Sequence, residues 1–503
     1  MLENLSLMIS LEVGLDKRGR DGTTLKTNPH HLKLEKRDTR DRKSRVFLNN
    51  EMEPLAVKSE TDIFTPPTRV VSTQSCTYYD YHPLSAPSSS GPITFNIPGN
   101  DVHYLDMSSL QLHVRVKIQS RNGDIANDDP SIEPINNFLH TMFEQVSVHL
   151  NETQITPTST LYPYRAYIES VLGMNGEYQK HLGLTALLID EPNVSNLTSQ
   201  GVIYRKALAA RSTVFELVAR PFLDIVGQAK YIIPNTDVRL TFHKSATTFC
   251  LREHIIPAVV AVAANANANP PVVAVAAVAA QPSRGTYNIS FEMAKISVKK
   301  VTVIPSILSA HLKLLNSGSL ACYPMRRVEV KSFALPTGTV QNVNETLLTG
   351  HLPDRIILGF VRSEDLHGTL TTQPFNFTHH NLNHISVTVN GDSNYHKAIS
   401  VDAAAGFTVE PYYNMFTEMS LDPCAEGPAI SSSAFRQGKM FFVFNLNDIS
   451  GGDEFGVQRH GTIKIETKFS QPLADSVNVI CHADYQSTLY IDSTKNVYFK
   501  EHH

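Results

Sequence analysis

The 503-residue chain carries one short pattern twice, and this repetition constrains its fold more than any other feature. The first copy, PINNFLHTMFEQVSVHLNETQI, begins at Pro134, and the second, PFNFTHHNLNHISVTVNGDS, begins at Pro374. In each copy an Asn-rich approach leads into an alternating stretch that ends in Asn, at Asn151 and Asn390. Further along, VRLTFHKS and IKIETKFSQ are each followed by a loop and a long segment of β character. Because the order of these segments is shared, we predict a duplicated β-sandwich of roughly 200 residues per copy.

Alternation of apolar and polar side chains predicts the individual strands. In SLQLHVRVKI, from Ser109 to Ile118, every second residue is apolar, which is the period of a strand with one buried face. In KISVKKVTVI the alternation slips at Lys299 and Lys300, which predicts a β-bulge. Such one-sided strands, joined by Pro, Gly and Asn turns, are typical of antiparallel sandwiches, so we predict an all-β fold.

Two helices are predicted within this β pattern. In STLYPYRAYIESVLG, Ser159 or Thr160 is a candidate N-cap, and Gly173 ends the helix. In VIPSILSAHLKLLNSGS, Pro305 opens a helix that stops at Gly318, and its leucines at 308, 312 and 315 fall on one face. The second helix lies near the middle of the chain, so we interpret residues 305–318 as a connector between the two halves.

Charge is unevenly distributed along the chain. The net charge of -4 argues against a generally basic nucleic-acid-binding protein, yet residues 1–45 hold 11 of the 44 Lys and Arg residues. Residues 1–51 are polar and without period, and we predict a basic disordered arm. Such an arm either neutralises phosphates or docks a partner, or it is a solvated tail without a further role, or Met52 is the working start and these residues precede it.

Cysteine usage and hydropathy indicate the compartment. The five cysteines are scattered and form no C-x-x-C pair, which favours a reducing compartment over a disulfide framework or a zinc site. The amino terminus lacks the pattern of a signal peptide. The Ala/Val/Asn/Pro stretch from Ile256 to Pro282 is too interrupted to span a bilayer, which needs about 20 apolar residues, so we predict no membrane span and a loop insertion here.

Motifs of catalysis and metal binding are weak. The phosphate-loop, nucleophile-elbow, zincin and dinucleotide-binding patterns do not occur, so we predict that the chain is not an enzyme, with no catalytic residues and no cofactor. HHNLNH, from His379 to His384, could hold a metal only if it were helical, and its context favours a strand, so we predict no metal site. The acids of SED at 363–365 and GDE at 452–454 are predicted to lie in solvated turns. The tyrosines of CTYYDYHPLS, at 78, 79 and 81, either stack on a ligand or cover a core or a subunit boundary.

A longer series of blocks resembles one known family. KSETDIFTPPTRVV, YDYHPLSAPSSSGPITFNI, PINNFLHTMFEQVSVHLN, YPYRAYIESVLG and RPFLDIVGQAKYIIPNTDVRLTFHKSATTFCL are similar to the amino half of the double jelly-roll major capsid proteins of Polinton/Maverick elements and adintoviruses. YPMRRVEVKSFALPTG, GHLPDRIILGFV, QPFNFTHHNLNHISVTVNG, GKMFFVFNL and FSQPLADSVNVICHADYQSTLYIDSTKNVYF follow in the family's order. The resemblance spans about residues 58–500. The arm before Met52 and the Ala/Val-rich stretch depart from the family pattern.

The resemblance implies a domain plan and a function. It implies a first eight-stranded jelly roll at 52–304, the connecting helix at 305–318 and a second eight-stranded jelly roll at 319–503. It further implies homotrimers shaped as pseudo-hexagons that contact neighbouring trimers and a minor penton protein and enclose double-stranded DNA in an icosahedral virion capsid, after assembly inside the cell. Loops such as 363–372 are expected at the outer surface or between subunits.

The basic arm is the one candidate site that follows from this function. If it faces inward, it contacts packaged DNA through phosphates without reading bases. Its candidate residues are Lys17, Arg18, Arg20, Lys33, Lys36, Arg37, Arg40, Arg42, Lys43 and Arg45. Three alternatives remain open: a tandem β-sandwich carbohydrate-binding protein, a domesticated capsid-like protein without assembly function, and a cupin-type enzyme, which would need clustered metal ligands.

Overall fold

The computed structural model describes most of the chain after residue 71. The described ranges are 72–87, 91–120, 132–189, 198–253, 287–392, 395–402, 405–419, 427–428, 430–447 and 459–499. All of them belong to one compact unit, Val71–His503. The predicted arm with its ten candidate bases, the stretch from Ile256 to Pro282 and the acids at 452–454 lie outside the described residues.

Among the described residues, ten strands form the first part of this unit. In chain order they are β1 (Thr73–Tyr81), β2 (Ile93–Ile97), β3 (His103–Ser120), β4 (Ile132–Pro134), β5 (Phe143–Leu150), β6 (Thr153–Gln154), β7 (Phe215–Ala219), β8 (Val238–Lys244), β9 (Leu251–Glu253) and β10 (Tyr287–Val303). The short strands β4 and β9 pair only with each other. The other eight form two four-stranded sheets, in the orders β1-β10-β3-β7 and β2-β8-β5-β6.

Nine strands form the second part. They are β11 (Ala321–Leu335), β12 (Gln341–His351), β13 (Arg355–Arg362), β14 (Leu382–Val389), β15 (Ile399–Ser400), β16 (Phe441–Asn445), β17 (His460–Phe469), β18 (Val477–Ile491) and β19 (Val497–Phe499). Their sheets have the orders β11-β18-β13-β16 and β12-β17-β14-β15, and β19 adds to β18.

The two parts share one topology. If the eight sandwich strands of each part are numbered from one to eight, both parts have one sheet in the order 1-8-3-6 and another in the order 2-7-4-5. All strand pairs in these sheets are antiparallel. This order is that of a jelly roll, in which two Greek keys divide the eight strands between two facing sheets. The predicted duplication of an all-β sandwich is therefore confirmed.

The repeated sequence segments occupy equivalent strands. VSVHL lies in β5 and ISVTV in β14, each the fourth strand of its jelly roll. VRLTF and IKIETKF lie in β8 and β17, each the seventh strand. The predicted bulge is also present, because the register of β10 against β3 shifts between Ser297 and Lys299. The repeated sequence segments therefore mark strands that occupy equivalent positions in the two jelly rolls.

Ten short α-helices lie in the described loops. They are α1 (Phe138–Thr141), α2 (Tyr162–Gly173), α3 (Gly176–Tyr178), α4 (Gln200–Ala209), α5 (Asp224–Gly227), α6 (Thr247–Cys250), α7 (Pro305–Asn316), α8 (Ser363–Leu366), α9 (Val409–Glu418) and α10 (Ser432–Arg436). A π-helical turn, Gln179–Gly183, follows α3, and a 3-10 turn, Ala210–Ser212, follows α4. None of the helices in the described residues is long and apolar enough to cross a membrane.

Both predicted helices are present, but the N-cap of the first differs from the prediction. Helix α2 ends at Gly173 as expected, but its N-cap is Leu161, so the prediction of Ser159 or Thr160 is wrong. Ser159 instead accepts a hydrogen bond from the Leu161 amide, 3.2 Å away, and supports the turn before the helix. Helix α7 begins at Pro305 and is followed by Gly318 with φ of 93°, a conformation that glycine adopts without strain. It connects β10 to β11.

Each jelly roll has its own apolar core, and each core also includes side chains from the other jelly roll. The first core contains Phe95, Val114 and Phe242 from facing sheets, and the second contains Leu358, Val387 and Phe444. The first core also includes residues of the second jelly roll: Tyr323, Met325, Leu489, Ile491 and Val497. The second core includes residues of the first: Ile135, Tyr164, Tyr167, Ile168, Val171, Leu172, Leu188 and Phe249. The two jelly rolls are therefore packed into one another.

Candidate functional site: the contact between the two jelly rolls

Helix α2 fixes the second jelly roll to the first. It follows the fifth strand of the first jelly roll, and Pro163 in its first turn suits the helix start, where an amide proton would lack a partner. Ten of its twelve residues are buried, from Tyr162 to Leu172. Its tyrosine rings reach the second jelly roll, where Tyr167 stacks on Phe375 with ring centroids 4.4 Å apart and an interplanar angle of 4°. Tyr164 meets the same Phe375 ring edge-on at 5.5 Å.

A glycine in the second jelly roll makes room for this aromatic cluster. A Cβ on Gly359, in β13, would lie 2.5 Å from Cδ1 of Phe377. The Phe377 ring therefore rests directly on the strand backbone and stacks with Tyr167 at 6.0 Å. Since aromatic pairs contribute about 0.5–1.5 kcal/mol beyond their area burial, this cluster is a main source of inter-roll stability.

The loop at 363–372 closes over the same contact from the other side. The Tyr164 hydroxyl donates to the carbonyl oxygens of Asp365 and Leu366, at 3.3 and 3.2 Å. The amide of Glu253, in the first jelly roll, donates to the Leu370 carbonyl. These contacts lie within one chain, and the placement of the rest of this loop at the outer surface or between subunits stays a prediction. The prediction of solvated acids is wrong for Asp365, which is 1% exposed in α8 and has a raised pKa because of burial.

A buried ionic network crosses the contact beside the aromatic cluster. Arg165, in α2, binds Glu169 one turn later with Nε to Oε1 at 2.7 Å. The same guanidinium binds Asp224, in α5, at 2.7 Å. Asp224 also accepts from the backbone amide of Val328, in β11 of the second jelly roll, at 3.2 Å. Arg165 and Asp224 are 10% and 4% exposed at their side chains, so the pair is shielded from solvent.

The second jelly roll continues this network on β18. His482 lies with Nε2 3.6 Å from Oε1 of Glu169 and with Nδ1 3.3 Å from Oδ1 of Asp484. Asp484 in turn accepts from Arg355, whose Nη2 is 2.6 Å from Oδ2. Breaking a buried pair by removing one partner costs about 3–5 kcal/mol, because the other charge is left unpaired. The network therefore makes the relative position of the two jelly rolls specific.

Electrostatics favour the charged forms of Arg165 and Glu169. Burial disfavours ionised Glu169, but Arg165 and the His482 imidazole more than offset it and lower the pKa of Glu169 to about 2. Burial outweighs Arg165 at Asp224 and raises the pKa of that carboxyl. His140, which donates or accepts at Nδ1 against the Tyr162 hydroxyl, has a pKa lowered to about 3 by burial. It is neutral at physiological pH.

A cavity of about 890 Å3 lies next to the network and opens between the two jelly rolls. Its polar lining includes His140, Glu169, Arg326, Arg355, His482 and Asp484. Within the described ranges, no three His, Cys, Asp or Glu side chains converge on a common point as metal ligands would. The arrangement positions two domains, and within the cavity lining Arg355 pairs with Asp484.

The other residues singled out from sequence lie apart from this contact. His380 and Asn381 have φ of 44° and 60°, so HHNLNH forms a turn leading into β14, and the helical spacing of His380 and His384 is not formed. Burial is the first cause that lowers the pKa of His380 to about 4. Tyr78 and Tyr79 lie exposed on β1, with the Lys299 and Lys300 ammonium groups 5.3 and 5.4 Å from their ring centroids.

Sequence reasoning missed the inter-roll network. Its members are Arg165, Glu169, Asp224, Arg355, His482 and Asp484. One signal was available, since Arg165 and Glu169 form an i, i+4 pair inside an otherwise apolar helix pattern. The partners on other elements carried no local signal.

Two jelly rolls in tandem define the class of this fold, which is the double jelly roll of viral major capsid proteins. Solved virus structures match it over most of their length. A chain of the Sputnik virophage structure is 13% identical with a TM-score of 0.56, covering 88% of this chain and 92% of that chain. A chain of the PBCV-1 virus capsid is 8% identical with a TM-score of 0.53, covering 88% and 100%.

Sequence comparison adds one curated relative. It is a Caenorhabditis elegans protein described as "Uncharacterized protein F54H12.2", which is 22% identical over 424 residues, or 81% of this chain and 93% of that protein. No family model matches the chain. The comparisons therefore establish the fold, and function is argued from the structure below.

Proposed function

We propose that the chain is the major capsid protein of a double-stranded DNA virus or virus-like element, of the Polinton/Maverick and adintovirus kind. The observation that carries this proposal is the repeated strand order, 1-8-3-6 over 2-7-4-5, held rigidly within one chain by α2. The buried contact at α2 fixes the two jelly rolls relative to each other. A shell subunit needs such a fixed arrangement, because errors in angle accumulate over many copies.

The mechanism is geometric. Two similar jelly rolls per chain allow three chains to present six similar units, so a threefold homotrimer can occupy a place with six neighbours. Contacts within the trimer are heterologous and close on themselves, whereas contacts between trimers repeat across the shell. Intratrimer burial on the order of 2,000 Å2 or more is expected, as in obligate assemblies.

The proposal keeps the domain plan and the partners inferred from sequence. Residues 52–304 and 319–503 are the two jelly rolls, and 305–318 connect them. The basic arm, residues 1–51, faces the interior and neutralises phosphates of packaged DNA. A minor penton protein closes the vertices, and assembly takes place inside the cell before the virion is complete. Catalysis and a cofactor are not part of this function.

Electron microscopy of the full-length protein, expressed and purified under reducing conditions, tests the proposal. The expected result is pseudo-hexagonal trimers, alone or joined into closed particles that protect DNA from nuclease. Monomers with saturable binding on a carbohydrate array would favour the alternative of a tandem carbohydrate-binding protein. Trimers that never assemble further, at any concentration or salt, would favour a domesticated protein that has lost assembly.

A further inference from the structure

Two loop helices occupy equivalent places in the two jelly rolls. Helix α2 lies between the fifth and sixth strands of the first jelly roll, β6 and β7. Helix α9 lies between the fifth and sixth strands of the second, β15 and β16. Both carry Pro-Tyr near their start, as Pro163-Tyr164 and Pro411-Tyr412. The duplication therefore includes the helix that joins the two jelly rolls.

The two helices differ in what covers them. Ten residues of α2 are buried, five of them in the core of the second jelly roll, but only Pro411 and Met415 of α9 are buried. The outer face of α9 and its leading turn carries large apolar side chains in solvent: Phe407 is 72% exposed, Val409 76% and Tyr413 66%. We call these three residues the α9 patch.

The α9 patch is held in place by the rest of its helix. The Tyr412 hydroxyl donates to the Ile430 carbonyl at 2.7 Å, and Met415 is 1% exposed in the second core. Glu418 accepts from the Asn445 amide at 3.2 Å and lies 3.2 Å from Nε2 of His396. The exposed side chains therefore stand on an anchored helix. Contiguous exposed apolar side chains on an ordered element mark interaction sites.

A complementary difference exists at the first strand of each jelly roll. In the second, β11 is covered by the first jelly roll: Asp224 accepts from the Val328 amide, and the Ser159 hydroxyl donates to the Val330 carbonyl at 3.3 Å. In the first, β1 is an edge strand whose residues from 74 to 80 are all exposed. Tyr78 and Tyr79 on it are 53% and 42% exposed. Within the described residues, the first jelly roll lacks the cover that the second one has.

We propose that the α9 patch of one chain packs against β1 of a second copy of the same chain. This contact gives β1 the kind of cover that β11 receives within a chain from Ser159, just before α2, and from Asp224, which binds Arg165 of α2. It rests on the proposed homotrimer and names the surfaces that build it. Because the two surfaces differ, the contact is heterologous, and three such contacts close a ring of six jelly rolls. Edge strands with exposed aromatic residues are suited to such burial.

Paired substitutions test the proposal by sedimentation velocity of the full chain. The double variant Val409→Asp with Tyr413→Asp places two charges in the proposed contact. The matched control is Ile203→Asp with Tyr204→Asp on α4, whose side chains are 50% and 44% exposed. We expect the α9 variant to associate at least thirtyfold more weakly than wild type, as for central interface residues, and the control to associate like wild type. Circular dichroism verifies that both variants fold.

Cross-linking supplies a second measurement with a native group. Cys76 is a free, exposed cysteine on β1. In the Tyr413→Cys variant, a short bismaleimide reagent should join chains into covalent dimers and closed trimers. Adding Cys76→Ser should abolish these products, and Ile203→Cys should not give them.

The outcomes separate this proposal from the function on which it rests. Wild-type trimers that persist unchanged in the α9 variant, without Cys76-dependent cross-links, overturn the contact and leave the capsid function standing. Wild-type protein that is monomeric at every concentration removes the capsid function and, with it, this contact. Trimers lost only in the α9 variant, together with Cys76-dependent cross-links, support it.

Discussion

Asn151 and Asn390 share two equivalent hydrogen bonds in the two jelly rolls, although their side-chain NH2 groups donate to different carbonyls, those of Lys495 and His460. Both have left-handed backbones, with φ of 54° and 52°, directly after the fourth strand. The side-chain oxygen of Asn151 accepts from the backbone N–H of Asp237 at 2.9 Å, and the backbone N–H of Asn151 donates to the Asp237 carbonyl at 2.8 Å. Asn390 does the same with Thr462, at 2.9 and 3.0 Å. The duplication is therefore preserved down to single hydrogen bonds.

The same substitutions at Asn151 and at Asn390 should have the same order of cost in unfolding free energy. Alanine at Asn390 removes the polar side chain that lets Asn tolerate the left-handed conformation, and it removes the side-chain acceptor, which together cost about 2–3 kcal/mol of unfolding free energy. Glycine relieves the backbone and loses only the hydrogen bond, about 1 kcal/mol, and aspartate keeps the acceptor and should be closest to wild type. Thermal unfolding followed by far-ultraviolet circular dichroism measures the ranking. A different ranking for the same substitutions at Asn151 would contradict the equivalence.

Removing the stacked rings should weaken the whole unit. We expect Tyr167→Ala and Phe375→Ala each to cost about 3–5 kcal/mol, since both rings are buried between the jelly rolls. The double variant should cost less than the sum by about 0.5–1.5 kcal/mol, the coupling of an aromatic pair. Chemical denaturation measures all three. Tyr178→Ala, at a tyrosine that is 44% exposed, is the control and should change stability by less than about 0.5 kcal/mol. Strict additivity of the two substitutions would count against the stack.

The ionic network predicts that the stability of the folded chain depends on pH. The pKa of Glu169 is about 2 in the folded chain against an ordinary 4.5, so its contribution is complete above pH 4.5 and is lost as pH falls toward 2. This shift corresponds to a stabilisation on the order of 3 kcal/mol. We expect Glu169→Gln to be less stable than wild type at pH 7, by an amount that shrinks below pH 4.5.

Thermal unfolding of both proteins from pH 7 to pH 3 checks this difference. Asp224 has a pKa that is raised by burial and in part by repulsion from Glu169, so Glu169→Gln relieves some of that shift and makes the gap at pH 7 smaller than the Glu169 shift alone implies. Glu177→Gln, at a solvent-exposed carboxylate paired with Lys180, should follow the wild-type profile. A pH-independent gap between wild type and Glu169→Gln would refute the assignment.

Deleting the basic arm should reduce packaged DNA more than particle formation. Without residues 1–51 the chain keeps both jelly rolls, so assembly should proceed, while fewer phosphates are neutralised. The ratio of nuclease-protected DNA to protein in purified particles measures the effect. The matched control keeps the full length of the chain and replaces the ten candidate bases of the arm by Gln, which removes only their charges. Unchanged DNA content in both proteins would exclude the arm as the DNA contact.

The sequence predicts strands better than it predicts how the jelly rolls meet. The alternation that identifies β5 and β14 is a local property, because side chains on a strand alternate between faces whatever lies nearby. The burial of Asp365 and the docking of the 363–372 loop depend on residues far along the chain, such as Tyr164 and Glu253. No local pattern encodes these partners. The same holds for His482, which meets Glu169 only after both jelly rolls have formed.

Native mass spectrometry of the purified full-length chain tests the central claim most directly. The account holds that three chains, each with two equivalent jelly rolls, form a pseudo-hexagonal trimer. It therefore predicts that the dominant species at micromolar concentration has the mass of three chains. A monomer at every concentration, or a dimer as the largest closed species, would contradict the account.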